Sequence, residues 1–181
     1  MNRLKALDYV DELALTNGAA SSFADLSKTF FVGSAKEILC ANWFSGGLII
    51  VVGSISAVVR LIAPFLINKD QDPAVVVIDS RANNIVPLIG SHKAGAQDLS
   101  LQLAEDLDGN VVITSDSFVQ GYLPLDSFGA SWGWDRSGDS SSWHQLMVNQ
   151  SSGRKINFAQ FAGSLLWKKS HGASRLEEQT S

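Results

Sequence analysis

Three short stretches hold the side chains most able to do chemistry. The first, Gly53-Ser54-Ile55-Ser56, separates an aliphatic run from an amphipathic one. At such a strand-to-helix turn, free backbone N–H groups and the helix dipole favour an anion such as a carboxylate or phosphate. The plain alternative is a tight turn that only reverses the chain. Arg60, about one helical turn further on, can pair with an anion held there or sit at a sheet rim against an acidic neighbour. The second stretch is the small-residue loop around His92. Histidine titrates near neutrality and can act as general base or acid, and Gly90, Ser91, Ala94 and Gly95 would let a bulky ligand reach the backbone. A solvated bystander is the competing reading. The third is Thr114-Ser115-Asp116, whose hydroxyls and carboxylate can face a cleft or supply a helix N-cap.

Other chemistries find little support. There is no G-x-S-x-G elbow and no Walker sequence, and Cys40 falls in an apolar helical stretch, which disfavours a nucleophilic serine or cysteine enzyme. His144 and His171 lack metal-ligand spacing to each other or to His92, so no metal site is expected. The 181 residues are 45% hydrophobic and 18% charged, with a net charge of -4 from 14 basic and 18 acidic residues. That composition buries one sizeable core and excludes disorder, collagen and coiled coil. With no Lys/Arg block, nucleic acid and acidic membrane surfaces are not expected partners. A single cysteine, and an N-terminal stretch broken by Asp8, Asp11 and Glu12, lead us to expect a reducing cytoplasm rather than secretion.

The elements that must position these residues follow from pattern. Ala35 to Trp43 reads as a short amphipathic helix ended by Ser45-Gly46-Gly47. Leu48 to Val52 is a continuous aliphatic run, expected as a strand covered on both faces. Leu48 to Ile67 has the length of a membrane span, but Arg60, Pro64 and the Gly-Ser break argue for a strand followed by a helix. That helix would start on Ser54 or Ser56, bury Val58, Val59, Leu61, Ile62, Phe65 and Leu66, and bend or end at Pro64. Strands at 74–78 and 85–89 form a hairpin, Ala96 to Leu107 is a helix with Leu99, Leu103 and Leu107 on one face, and 111–114 is a further strand. The fold class expected is α/β: a layered, mostly parallel sheet with flanking helices, its loops at the strand C-termini sharing one edge, plus a small Trp-rich α+β subdomain. The expected division is 1–117, 118–167 and a polar segment over 168–181 that reads as a disordered tail or the start of a linker.

Several segments together resemble a known family. The stretch 53–64, Lys69 with Asp72-Pro73 and the apolar run to Asp79, and Val86-Pro87-Leu88-Ile89-Gly90-Ser91-His92 with Ala94-Gly95-Ala96 are similar to the N-terminal region of the cobalamin biosynthesis protein CbiG. Val112 to Asp116 and Ala162 to Trp167 resemble that family's middle region more weakly. The resemblance implies the cobalt-precorrin-5A hydrolase reaction, in which water opens a δ-lactone of a tetrapyrrole and a two-carbon unit leaves as acetaldehyde. Under it, His92 would be the base or proton shuttle. Arg60, Lys69 and the N–H groups of Ser54 to Ser56 would anchor carboxylates, with Gly53, Ser91, Gly95, Thr114, Ser115 and Asp116 lining the same site. No resident cofactor is implied, since cobalt arrives with the substrate. In this family's His loop, Ala94 stands where a glycine is usual and Gln97 where an asparagine is usual. The chain stops soon after Trp167, so it reads as a fragment or a divergent stand-alone part, and the partner expected is the family's C-terminal domain or a precorrin-3B C17-methyltransferase, to which the family is fused in some bacteria.

Overall fold

The computed structural model describes residues 12–20, 31–69, 71–90, 95–125, 128–129, 134–135, 137–169 and 172–179. The chain divides into two compact units, 1–112 and 113–181.

In the first unit the elements run β1 (Ala14–Thr16), α1 (Asn17–Ala20), β2 (Phe31–Gly33), α2 (Ala35–Ala41), β3 (Leu48–Val52), α3 (Ile55–Ile62), β4 (Ala74–Ile78), β5 (Asn84–Ile89), α4 (Ala96–Leu107) and β6 (Asn110–Val111). β1 and β2 form a small parallel pair, and the main sheet has the order β3-β4-β5-β6. Its centre is β4, buried at all of its positions. Because strand side chains alternate, β4 feeds two cores. Ala74, Val76 and Ile78 join Ile85 and the α4 residues Ala96, Leu103, Ala104 and Leu107 on one face. Val75 and Val77 meet Leu39 of α2 and Val58 and Ile62 of α3 on the other. A helix, a sheet and a helix pair therefore form three layers, and the α/β class holds.

Local sequence explains the element ends. Ser34 and Glu37 form a capping box at α2, and the Ser54 side chain caps α3. α3 gives way to a 3-10 turn, Ala63–Phe65, where Pro64 removes an N–H from the helical ladder. Val58, Leu61, Ile62 and Phe65 pack on the core at helical spacing. Val59 and Leu66, expected beside them, are exposed. Val59 falls off that stripe and Leu66 lies past the 3-10 turn. β3 is the edge strand. Ile49, Ile50 and Val51 reach the two cores, while Leu48 and Val52 stay exposed, so the expected cover on both faces holds only for its middle.

The β4–β5 hairpin is present, with a register shift between Val75 and Val76 opposite Pro87. β6 runs parallel to β5 but is shorter than the expected 111–114 strand. The Val112 N–H still reaches the Ile85 carbonyl, at 2.9 Å. The next ladder bond would need an N–H from Pro87, which has none.

The second unit contains α5 (Asp116–Val119), α6 (Ser140–Ser151), β7 (Ile156–Phe158) and β8 (Leu176–Glu178), with 3-10 turns at Leu166–Lys169 and Ala173–Arg175. Its core is Leu123, Leu125 and Ile156, with Phe128, Leu146, Met147 and Leu176 against them. Buried Trp167 packs edge-on to Phe158 and Phe128, with centroids 4.9 and 5.4 Å away, and donates to Gln160 Oε1 at 2.8 Å. An unstructured tail after Trp167 is not what residues 172–179 form. β8 pairs in parallel with β7, and the Lys155–Glu177 and Lys168–Glu178 ion pairs tie the polar residues of this segment down.

Candidate functional site

The Gly53 turn is built from both sides. The Gly53 N–H donates to the Ile78 carbonyl at 2.9 Å, fixing the turn to the end of β4. The Ser54 hydroxyl accepts from the Ala57 N–H at 3.4 Å, and the Ser54 and Ser56 hydroxyls lie 3.5 Å apart. Exposed Arg60 folds back along its own helix, donating to the Ser56 carbonyl at 3.1 Å. The guanidinium therefore lies toward the N-terminal turn of α3, where the helix dipole also favours an anion.

The His92 loop is held at its two ends. Gly90 and Gly95 both adopt left-handed conformations, with φ of 71° and 81°. The Ala96 N–H donates to the Gly90 carbonyl at 3.2 Å, closing the loop at the start of α4. Gly95 is the N-cap of α4, a position where a side chain would be strained. Ser91, His92, Lys93 and Ala94 lie outside the described residues.

Topology separates these two places. β3 and β4 run in parallel, with Val52 beside Ile78, so the Gly53 turn sits at the C-terminal end of β4. β5 reverses direction, with Ile78 opposite Ile85 and Val75 opposite Ile89, so Gly90 emerges at the N-terminal end of β4. The two turns are thus about five strand residues, or roughly 16 Å, apart along the sheet. The expectation that the loops share one edge fails because a hairpin, and not a crossover helix, joins β4 to β5. Lys69 falls on the Gly90 side, in the turn between α3 and β4. There the Ile67 N–H donates to Asp72 Oδ1 at 2.9 Å, and the Asp72 N–H donates to the Asn68 carbonyl at 3.0 Å.

Thr114, Ser115 and Asp116 open the second unit. Ser115 is the N-cap of α5, and its carbonyl accepts from Phe118 and Val119, each at 3.1 Å. Its side chain makes no capping hydrogen bond, so Ser115 marks the start of α5 by position and backbone carbonyl alone.

Two features escaped the sequence reading. The Asp79 carboxylate, at the Gly53 end, accepts from the N–H groups of Arg81, Asn83 and Asn84 and from the Asn84 side chain, at 2.8 to 3.2 Å. The Asn84 amide, with help from these backbone donors, holds its carboxyl below the usual aspartate range. Both oxygens are committed to the hairpin turn, so Asp79 organises this end of the sheet instead of accepting protons. At the other end, Phe44, Leu66 and Ile67 are exposed, and the buried Trp43 Nε1 has no hydrogen-bond partner among the described residues. Among the described residues, no group of three or more His, Cys, Asp or Glu could hold a metal ion. No described helix is long and apolar enough to cross a membrane.

The family described as cobalamin synthesis G N-terminal matches residues 37–117, which include the Gly53 turn, Lys69 and the His92 loop. A cobalt-precorrin-5A hydrolase of Priestia megaterium is 41% identical over 104 residues, 58% of this chain and 28% of that protein. A cobalt-precorrin-5A hydrolase of Salmonella typhimurium is 38% identical over 79 residues, 44% of this chain and 22% of that protein. The chain thus spans about a quarter of the length of these curated relatives. A solved cobalamin biosynthesis protein G homolog from Sulfolobus solfataricus superposes with a TM-score of 0.42 at 20% identity, covering 81% of this chain and 43% of that one. The model of the cobalamin synthesis G N-terminal family thus matches the segment from α2 to the start of α5, and two cobalt-precorrin-5A hydrolases align with this chain at 38% and 41% identity.

Proposed function

We propose that this chain acts in cobalamin biosynthesis as the N-terminal part of a cobalt-precorrin-5A hydrolase. The observation that carries this is the family match over residues 37–117, joined to two curated hydrolases at 38% and 41% identity. In the reaction water is deprotonated and attacks the δ-lactone carbonyl. Cleavage of the lactone C–O bond leaves a carboxylate on the tetrapyrrole and a hydroxyl on the two-carbon unit; that hydroxyl then gives up its proton as the carbon–carbon bond to the ring breaks, the electron pair stays on the macrocycle, and the unit departs as acetaldehyde. His92 supplies the base. Lys69, on the same end of the sheet, holds a peripheral carboxylate, while Ser54, Ser56 and Arg60 at the opposite end hold another. Placing the anchors roughly 16 Å apart suits a wide macrocycle fringed with carboxylates better than a compact substrate. Cobalt belongs to the substrate, no resident cofactor is needed, and the reaction would run in the cytoplasm.

A second reading has its own support. The chain covers only 28% and 22% of the hydrolases it matches. On that reading it binds the tetrapyrrole without turnover and presents it to a separate C-terminal domain or to a precorrin-3B C17-methyltransferase.

Anaerobic incubation with cobalt-precorrin-5A, following acetaldehyde, separates the two. The hydrolase reading expects release by the chain, reduced at least about a hundredfold in His92→Ala, as loss of a general base implies. Release that His92→Ala leaves intact would remove the histidine from the mechanism. Spectral binding without release, restored by an added C-terminal domain, would establish the carrier reading.

A further inference from the structure

Beyond residue 117, the second unit contains a cavity of about 260 Å³ between the end of α6 and the β7–β8 pair. Its lining includes Tyr122, Gln150, Arg154, Lys155, Arg175 and Glu177. Glu177 is the only carboxylate in that lining, and it is paired with Lys155. Arg154 and Arg175 meet no carboxylate among the described residues. Arg154 donates to Asn149 Oδ1 at 3.3 Å and Arg175 to the Gln120 carbonyl at 3.0 Å. Each guanidinium has more N–H donors than that one bond uses, in a planar fork that matches an oxyanion. The C-terminus of α6 contributes roughly half a negative charge nearby, which offsets only part of one of these cations.

The frame around the cations is set in advance. The Arg175 guanidinium stands 5.2 Å from the Tyr122 ring centroid, within cation–π range. Gly172 turns with φ of 80°, and any Cβ there would lie 2.4 Å from the backbone of Tyr122 and Leu123. Only glycine lets the Ala173–Arg175 turn close on that strand of backbone. Gln150, 6% exposed, donates to the Leu123 carbonyl at 3.0 Å and holds one wall. Gly153, with φ of 74°, ends α6 just before Arg154, and both residues line the cavity.

We infer that this cavity is a binding site for a small multivalent oxyanion, gripped between Arg154 and Arg175. The volume is below that of most drug-sized pockets and fits a ligand of a few heavy atoms carrying two charged groups. A phosphate or a carboxylate source satisfies the same chemistry. The inference concerns residues outside the matched segment and stands or falls separately from the hydrolase reading.

The test is calorimetric titration of the whole chain at low ionic strength with pyrophosphate and, separately, with succinate. Saturable binding of one anion per chain is expected, weakened about tenfold by Arg154→Gln, as loss of one charge-assisted bond implies. Arg175→Lys, which keeps the charge but loses the fork, should weaken it as well. Lys36→Gln, an exposed cation of α2 in the first unit, should leave it unchanged. Tighter pyrophosphate would assign a phosphate ligand, and tighter succinate a carboxylate. No saturable binding of either, or equal loss in Lys36→Gln, would overturn the site.

Discussion

Three carboxylates show how this chain uses charge at the scale of single residues. Asp79 holds the β4–β5 turn, Glu37 takes the Ser34 N–H and hydroxyl, and Asp139 caps α6 through Ser141 and Ser142. Each is held below its ordinary pKa by those donors, Asp79 chiefly by the Asn84 side chain and Glu37 chiefly by the Ser34 backbone. A depressed pKa in the folded chain means that its stabilising effect is complete above the ordinary carboxylate range, about pH 4, and is lost as pH falls through the lower folded value. Melting temperature should therefore be level from neutrality to about pH 5 and fall below about pH 4. Asp79→Asn should shallow that fall, because the substituted amide has no proton to take up there. A pH series of thermal melts on both proteins checks this, and identical slopes would remove Asp79 from the acid response. Ser54 as a cap was legible in the sequence because a cap acts through its immediate neighbours. Asp79 was not, since its role depends on donors up to five residues ahead meeting one carboxylate.

At the scale of elements, period and residue type located β3, α3, β4, β5 and α4 closely. Aliphatic runs bounded by turn residues admit little else. What pattern could not show was which flank of a helix reaches the core. Val58 is buried while its neighbour Val59 is 44% exposed. Leu103→Ala, in the middle of α4 and fully buried, should cost about 2–5 kcal/mol. Val59→Ala should stay within about 0.5 kcal/mol. Urea unfolding of both gives the contrast directly, and similar losses would mean that the α3 face is packed against something. The shortened β6 is the clearest case of a local rule with a distant effect. A proline in β5, unremarkable in its own strand, ends the neighbouring strand by having no hydrogen to share.

Across the whole molecule, the α/β class and a smaller Trp-rich part were readable, but the placement of the candidate residues was not. One antiparallel step in an otherwise parallel sheet puts Gly90, after β5, at the end opposite the Gly53 turn, and strand direction leaves no mark in composition. The sheet also has an unfinished side. β3 bonds to β4 alone among the described residues, and its exposed Leu48 and Val52 flank a row of backbone groups without a strand partner. In solution such a margin behaves as a template on which a second molecule can extend the sheet, so handling the chain at high concentration should bring turbidity. Leu48→Lys, at a position 44% exposed, should raise the concentration at which light scattering sets in while leaving the melting temperature within a few degrees. Unchanged scattering would show that the margin is already shielded. The same strand that anchors the parallel half of the fold thereby sets how crowded a solution of this protein can become.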